Sequence, residues 1–229
     1  METLFNGFTL EIAPGTFPLS TDSMVLADFV RFPRNAKVLD LGSGCGTLGI
    51  LLCAKDTACQ VTGIEIDENA HMAALENQER NDLKDRFTSI CADLTTITEF
   101  LQPSSFDICV SNPPYFTAGY LSKATPLARH EECCSLDELM ASAAFSLKFG
   151  GDFFLVHKPE RLAEIFATAT QHKLEPKRLC LLRHRPDGPV ALVLVQCRKG
   201  AKPGLTWEEI CLRDQEGQPT EQYKRIYHQ

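Results

Sequence analysis

Short apolar runs alternate along the chain with longer segments whose apolar residues recur every three or four positions. The clearest runs are KVLDL, QVTGIE, FDICV, DFFLV, KRLCLLR and VALVLV, each about as long as a typical strand. Most of the segments between them have helical periodicity. This alternation predicts a mostly parallel sheet with helices on both faces. With a weaker run at residues 86–91, seven strands are expected.

The same pattern predicts a single α/β domain that covers residues 1–229. An N-terminal arm and helix occupy residues 1–36, the alternating core covers residues 37–198, and a polar C-terminal extension covers residues 199–229. Ser20 or Thr21 is placed to cap the first helix. Mostly parallel sheets bind ligands outside the carboxyl ends of their strands, so we expect the functional residues there.

The ten cysteines form no C-x-x-C pair, and most of them lie within predicted strands, helices or a tight turn. This placement is typical of reduced thiols that pack as small apolar groups, and it predicts neither a disulfide nor a metal site. No apolar run reaches the length of a membrane span, and the N-terminal segment does not resemble a signal peptide. We therefore expect a soluble, cytoplasmic protein with no membrane association and no obligate protein partner.

The charge of the chain is unevenly distributed. The formal net charge of −7 argues against a protein that coats nucleic acid. Residues 1–147 carry 9 Lys/Arg and 20 Asp/Glu, whereas residues 148–229 carry 14 and 10. The densest basic stretch, KRLCLLRHR, offers four candidates for holding the phosphates of a nucleic acid: Lys177, Arg178, Arg183 and Arg185. A strand edge protected by solvated charge is the alternative on charge alone.

A glycine-rich turn, DLGSGCGTLG, follows the first strand of the predicted core. Gly42, Gly44 and Gly46 allow a sharp turn and a close approach of the backbone to a ligand at the start of the next helix. Glu65 lies near the end of the second predicted strand, where a carboxylate can hold ribose hydroxyls. Together these residues predict a cofactor that contains adenosine. They leave open whether it is NAD or S-adenosylmethionine.

Two further acidic residues and the hexapeptide SNPPYF favour S-adenosylmethionine. Asp40 precedes the glycines, where it can face an ammonium group, and Asp93 follows the third predicted strand, where it can accept from an adenine amino group. These motifs resemble those of the class I methyltransferases, which combine such a glycine turn with an Asn-Pro-Pro-aromatic motif after the fourth strand. The resemblance implies a Rossmann-like fold and S-adenosylmethionine as cofactor. It also implies a cofactor site formed by Asp40, Gly42, Gly44, Gly46, Glu65, Asp93 and Asn112.

The SNPPYF stretch predicts methyl transfer to an amino group. The amino group of a base is a poor nucleophile, because its lone pair is delocalised into the ring. The Asn112 side-chain oxygen and the Pro113 carbonyl can each accept one of its N–H groups, and Pro113 and Pro114 make these acceptors rigid. Tyr115 can stack on a flat substrate, with Phe116 beside it. We therefore take Asn112, Pro113, Pro114 and Tyr115 as candidate catalytic residues.

Segments spread over nearly the whole chain resemble the bacterial tRNA(Val) adenosine-N6 methyltransferases. They are FPLSTDSMVLADFVR, VLDLGSGCGTLGILL, VTGIEID, SNPPYF, LARHEE and LRDQEGQPTEQYKRIY. The resemblance implies methylation of the N6 amino group of an adenosine beside the anticodon of a tRNA. It also implies that Arg129 and His130 lie near the substrate. An ion pair that only pins the loop is the alternative for Arg129.

The Asn-Pro-Pro-Tyr motif alone does not identify the substrate. Enzymes that methylate a glutamine side chain in release factors, and enzymes that act on amino groups of rRNA or DNA, carry similar motifs. The 36 residues before the core are few for the helical domain of the glutamine enzymes, and no separate target-recognition region is visible. A non-catalytic protein that binds S-adenosylmethionine is the alternative from another class. A NAD-dependent dehydrogenase is disfavoured, because the chain lacks the usual catalytic residues.

Overall fold

The computed structural model describes residues 2–13, 19–113 and 134–228 of the chain. A small antiparallel hairpin of β1 (Glu2–Thr3) and β2 (Thr9–Leu10) comes first. The eight strands of the main sheet are β3 (Lys37–Leu41), β4 (Gln60–Glu65), β5 (Phe87–Cys91), β6 (Phe106–Ser111), β7 (Leu147–His157), β8 (Leu174–Arg183), β9 (Val190–Lys199) and β10 (Thr206–Cys211).

Six α-helices flank this sheet within the described ranges. They are α1 (Thr21–Phe29), α2 (Thr47–Lys55), α3 (Glu68–Arg80), α4 (Leu136–Ser146), α5 (Leu162–Gln171) and α6 (Glu221–Tyr227). Ser20 caps α1 through the backbone N–H of Ser23, and Ser135 forms a capping box with Glu138 at the start of α4. Of these helices, α2, α3, α4 and α5 lie between apolar runs, where periodicity predicts helices, and α1 is the helix predicted within residues 1–36.

The strand order across the sheet is β10-β8-β9-β7-β6-β3-β4-β5. All neighbouring pairs are parallel except β7–β9 and β9–β8. The chain order reverses direction between β3 and β6, and this reversal creates the crevice where α/β sheets bind ligands. The prediction of a mostly parallel sheet covered by helices is confirmed.

The predicted number of strands was wrong by one, because the C-terminal extension adds an edge strand. β10 pairs in parallel with β8 over six residues. Its sequence, TWEEIC, has four exposed residues followed by the buried Ile210, so it lacks the apolar run of an interior strand. α6 then packs against α1, where Tyr227 Oη donates to Thr21 Oγ1 at 2.9 Å.

Alternating side chains along each strand form two cores, one on each face of the sheet. Val110 of β6 packs with residues of α1 and α2, whereas its neighbour Cys109 packs with residues of α4 and α5. Six of the described cysteines are buried. In the described part of the chain, no helix is long and apolar enough to cross a membrane.

The N-terminal arm is held against the core by Asn77 of α3 and by Asn81, which directly follows this helix. Asn77 exchanges hydrogen bonds of 2.7 Å with the backbone of Glu11, and Asn81 does the same with Thr9. Asn77 is fully buried, and its side chain also donates to the carbonyl of Cys45 at 3.0 Å. One side chain therefore fixes both the arm and the glycine turn that follows β3.

Candidate active site

A cavity of about 400 Å³ opens at the carboxyl edge of the sheet, where β3, β4, β5, β6 and β7 end. Its wall includes residues that follow each of these strands and the first turns of α1 and α4. Six of the residues expected to bind a cofactor line it: Asp40, Gly42, Gly44, Glu65, Asp93 and Asn112. The structure therefore brings together residues that are more than 70 positions apart in the sequence.

The glycine turn follows β3 and leads into α2. Gly42, Gly44 and Gly46 have φ angles of 76°, 54° and 79°, which side chains rarely tolerate. A Cβ atom at Gly42 or Gly44 would meet no described atom within 4 Å, whereas at Gly46 it would lie 2.8 Å from the ring of Phe87. At Gly42 and Gly44, the backbone itself forms the cavity wall, and no side chain separates it from a ligand. Gly46 instead permits α2 to pack closely against Phe87 of β5.

Glu65 ends β4 and is almost completely buried. One carboxylate oxygen accepts from the backbone N–H of Gly44 at 2.7 Å, and the other accepts from that of Asp67 at 2.8 Å. Each oxygen retains a second lone pair, which can accept from a hydroxyl of a ligand. Glu65 therefore orders the glycine turn and still presents acceptors to the cavity.

Asp40 is fully buried at the end of β3, and neither of its carboxylate oxygens has a hydrogen-bond partner among the described residues. The buried hydroxyl of Ser43 also has no hydrogen-bond partner among the described residues. Burial, reinforced by the negative charge of Glu65, raises the pKa of Asp40 to about 8. A buried acid without a donor, in the wall of a cavity, fits the ammonium group of S-adenosylmethionine.

Asp93 follows β5 and begins a short 3-10 helix, Leu94–Glu99, by accepting from the backbone N–H of Thr95 at 2.8 Å. Its neighbours Ala92 and Leu94 line the cavity with it. Apolar contacts on either side of an acceptor suit the adenine end of the cofactor. The cavity wall thus contains three features that suit S-adenosylmethionine. They are a buried acid for its ammonium group, a carboxylate for its ribose hydroxyls, and an acceptor between apolar residues for its adenine.

Asn112 and Pro113 leave the sheet directly after β6 and line the same cavity. Ser111 anchors this strand end by donating from its hydroxyl to the carbonyl of Leu41 at 2.7 Å. The side-chain nitrogen of Asn112 donates to the hydroxyl oxygen of Ser23 in α1 at 3.0 Å. Ser23 could not be predicted as a site residue, because nothing in a helical segment 89 residues away signals this contact.

His157 and Arg161 also line the cavity, and neither was among the predicted site residues. His157 ends β7 and accepts at Nδ1 from the backbone N–H of Lys158 at 2.8 Å. Burial, with a contribution from the charge of Arg161, lowers the pKa of His157 to about 4, so the ring is neutral at physiological pH. Its position at the carboxyl end of a strand was the signal that could have found it.

The predicted basic cluster does not form one patch. Arg178 lies over the ring of Phe29, with 4.2 Å to the centroid, and donates to Gln196 and Glu208. Arg183 donates to the carbonyl of Gly188. Both arginines thus make intramolecular contacts. Lys177 likewise donates to the carbonyl of Lys202 at 3.1 Å, and Arg185 follows β8 at the carboxyl edge of the sheet.

Five predicted site residues lie outside the described residues: Pro114, Tyr115, Phe116, Arg129 and His130. Within residues 2–13, 19–113 and 134–228, no group of three or more His, Cys, Asp or Glu side chains is placed to hold a metal ion.

Comparison with known sequences agrees with this geometry. The methyltransferase small domain family matches residues 18–173, which is more than half of the chain. A protein from Tolumonas auensis is 29% identical over 214 residues, covering 92% of this chain and 88% of the relative. One from Bacteroides thetaiotaomicron is 26% identical over 225 residues, covering 97% and 93%. Both are named tRNA1(Val) (adenine(37)-N6)-methyltransferase.

Solved structures share the fold. A predicted O-methyltransferase from Agrobacterium tumefaciens has a TM-score of 0.77 at 23% identity and covers 91% of this chain and 96% of that chain. A T. thermophilus 16S rRNA N2 methyltransferase in complex with AdoMet and guanosine has a TM-score of 0.61 at 23% identity, covering 86% and 49%. The chain therefore belongs to the methyltransferase small domain family, and it is a methyltransferase with the class I fold, whose cofactor is S-adenosylmethionine.

Proposed function

We propose that this protein methylates the N6 amino group of an adenosine in tRNA, namely the adenosine at position 37, beside the anticodon of tRNA1(Val). The observation that carries the proposal is the placement of Asn112 and Pro113 at the end of β6, in the wall of the cavity that also contains Asp40. The relatives that share most of the chain's length have this activity in their names. A tRNA substrate implies a cytoplasmic enzyme.

The cofactor supplies a methyl group made electrophilic by a positively charged sulfur. The task of the protein is to orient the amine. The Asn112 side-chain oxygen and the Pro113 carbonyl each accept one N–H, which turns the nitrogen lone pair toward the methyl group. The methylated nitrogen is acidic enough to release its proton to water, so the reaction requires no strong base. Positioning and acceptor electrostatics account for the catalysis.

An anticodon-loop base suits this arrangement. Because the loop is single-stranded, bringing the base into a pocket costs unstacking energy of only a few kcal/mol. We assign base stacking to Tyr115 and Phe116, and contacts with the substrate to Arg129 and His130; these assignments rest on the sequence motifs alone.

We place the phosphate contacts near the end of β8. β8 is parallel to β7, since both pair antiparallel with β9, so Arg183 and Arg185 lie at the same edge of the sheet as Asn112. Three strand spacings separate β8 from β6, or about 14 Å, a distance that neighbouring nucleotides can span. We assign these contacts to Arg185. Arg178 and Arg183 ion-pair with Glu208 and Glu209, and Lys177 lies near the start of β8.

The direct test is methyl transfer from labelled S-adenosylmethionine to tRNA that lacks modifications, followed by nucleoside analysis. We expect label in N6-methyladenosine, and mapping of the label to position 37 of tRNA1(Val). Label in another tRNA or at another position would correct the substrate and keep the reaction. Absence of label from tRNA, with cofactor binding intact, would overturn the proposal. The same assay with rRNA and a release-factor fragment would then identify the substrate class.

A further inference from the structure

We propose that Asn77 is a positioning residue of the cofactor site, and that it couples the docking of arm residues 9–13 to the binding of S-adenosylmethionine. Asn77 lies in α3 and is not among the described residues that line the cavity. It would therefore act through the backbone that it holds. The inference concerns the cofactor alone, so it applies to any methyl acceptor.

The amide of Asn77 is held in one orientation by backbone groups. Its oxygen accepts from the N–H of Glu11 at 2.7 Å, and its nitrogen donates to the carbonyls of Glu11 at 2.7 Å and of Cys45 at 3.0 Å. A backbone N–H only donates and a backbone carbonyl only accepts, so a rotated amide would lose all three hydrogen bonds. Because Asn77 is fully buried, it ties the arm and the glycine turn into one unit.

The contact with Cys45 fixes a peptide group within the glycine turn. The N–H of the peptide group between Cys45 and Gly46 donates to the carbonyl of Ser43 at 3.0 Å, and its oxygen accepts from Asn77. This group is thus held at both ends, just where Gly46, with a φ of 79°, begins α2. Since Gly44 and Cys45 line the cavity, Asn77 stabilises the turn conformation that meets the cofactor.

The arm contacts the same part of the site from outside. Ala13 packs against Cys45, Ala70 and Ala73, and its backbone N–H donates to the Cys45 sulfur at 3.5 Å. Cys45 and Ala70 both line the cavity, and so does Ser20, seven residues after Ala13 in the sequence. The chain therefore leads from the glycine turn to another part of the cavity wall, and the docked arm supports the turn.

Docking of the arm and binding of the cofactor should accordingly favour each other. If the turn samples several conformations when Asn77 is absent, the apparent affinity for the cofactor falls in proportion to the fraction that remains competent to bind. By linkage, the bound cofactor stabilises the docked arm by the same factor. This reciprocity distinguishes a coupled arm from one that only adds to the stability of the fold.

The first test compares Asn77→Ala with Asn81→Ala. Asn81 holds Thr9 through the same pair of 2.7 Å hydrogen bonds, and its recorded hydrogen bonds do not include the glycine turn. Asn77→Ala should raise the Kd of S-adenosylmethionine, measured by calorimetry, about 10-fold. Asn81→Ala should raise it no more than about 3-fold, because Asn77 still joins the arm to the turn.

The turnover number provides a readout that general damage would change. With saturating cofactor and substrate, kcat should stay within about 2-fold of the wild type for both variants, since neither side chain reaches the amine. Equal losses of cofactor affinity in Asn77→Ala and Asn81→Ala would overturn the proposal, because the contact with the turn would then contribute nothing of its own. A fall in kcat for Asn77→Ala with an unchanged Kd would overturn it as well.

A second measurement uses the wild-type protein, so it does not depend on the folding of a variant, and it needs no RNA. The backbone N–H of Glu11, which donates to Asn77, should exchange with solvent at least ~10-fold more slowly when S-adenosylmethionine is bound. The control is the N–H of Cys59, which donates to Asp56 just before β4, at the amino edge of the sheet. Equal responses of Glu11 and Cys59, or no response of Glu11, would contradict the coupling.

Discussion

The carboxylate of Glu65, at the end of β4, accepts a 2.7 Å hydrogen bond from the backbone N–H of Gly44 in the glycine turn after β3. This contact joins the two strand ends between which the cofactor's ribose is expected to bind. Removing the carboxylate would leave a buried N–H without its acceptor and would loosen the turn at the same time.

We therefore expect Glu65→Gln to weaken the binding of S-adenosylmethionine at least ~10-fold, because the new amide keeps an acceptor for only one of the two backbone N–H groups and presents a donor to the other. Isothermal titration calorimetry of the purified protein measures the effect. Glu68→Gln, at an exposed position in the first turn of α3, is the control. An affinity that is equal for both variants would remove Glu65 from the cofactor site.

Asp40 predicts a trade-off between stability and cofactor binding. Its pKa in the folded protein is raised to about 8, above the ordinary value of 3.8, so the unfolded chain ionises first. Without the cofactor, stability should fall as the pH rises from about 4 to about 8, in total by a few kcal/mol. Asp40→Asn should raise the Tm of the apo protein at pH 7.5 and weaken cofactor binding. A lower Tm for the variant would contradict this account.

The same shift predicts proton release on cofactor binding. At pH 7 Asp40 is largely protonated, and an ammonium group beside it favours the carboxylate. Calorimetric titrations in two buffers with different ionisation enthalpies should show release of up to about one proton per cofactor bound. The Asp40→Asn variant should show none from this site. An identical proton count for the two proteins would exclude Asp40 as the group that responds.

The lowered pKa of His157 predicts a loss of stability at mildly acidic pH. Its pKa is lowered to about 4 from 6.5, so below pH 6.5 the unfolded chain binds a proton that the folded protein resists. The free energy of unfolding should fall as the pH decreases from about 6.5 to about 4, by roughly 3 kcal/mol for this group. Denaturant titrations at several pH values should show a flatter profile in this window for His157→Gln than for the wild type. Parallel profiles would contradict the assignment.

Arg185 and Arg178 should behave differently when each is changed to alanine. Arg185→Ala should raise the KM for tRNA. It should also reduce the slope of log K against log salt concentration by about 1, the value of one phosphate contact. Arg178→Ala should instead lower stability by about 1–2 kcal/mol, since it removes an ion pair with Glu208 and the packing on Phe29. Thermal unfolding and tRNA binding at two salt concentrations distinguish the two. A salt slope that changes only for Arg178→Ala would reverse the assignment.

The sequence was informative where function depends on local spacing. The glycine turn, Asp40 and Glu65 could be identified because each stands at a fixed position relative to an apolar strand. The helices α1 to α5 could likewise be predicted, because the periodicity of apolar residues is a local property of the sequence. Asn112 could be placed beside them, because the carboxyl ends of parallel strands meet at one edge of the sheet.

What the sequence could not predict depends on contacts across long separations. Asn112 donates to Ser23, 89 residues earlier, and no pattern connects the two residues. Arg178 looked available for phosphates because its pairing with Glu208 requires β10, whose polar sequence did not indicate a strand. Residues whose role is fixed by tertiary pairing were thus missed or misjudged.

The central claim is that Asn112 acts on the substrate amine and is not primarily a cofactor ligand. The most direct measurement compares kcat and the Kd of S-adenosylmethionine for Asn112→Ala and the wild type, with Asn69→Ala at an exposed position of α3 as the control. We predict a fall in kcat of roughly 10²-fold or more with a nearly unchanged Kd. A parallel loss of cofactor affinity, or an unchanged kcat, would contradict the claim.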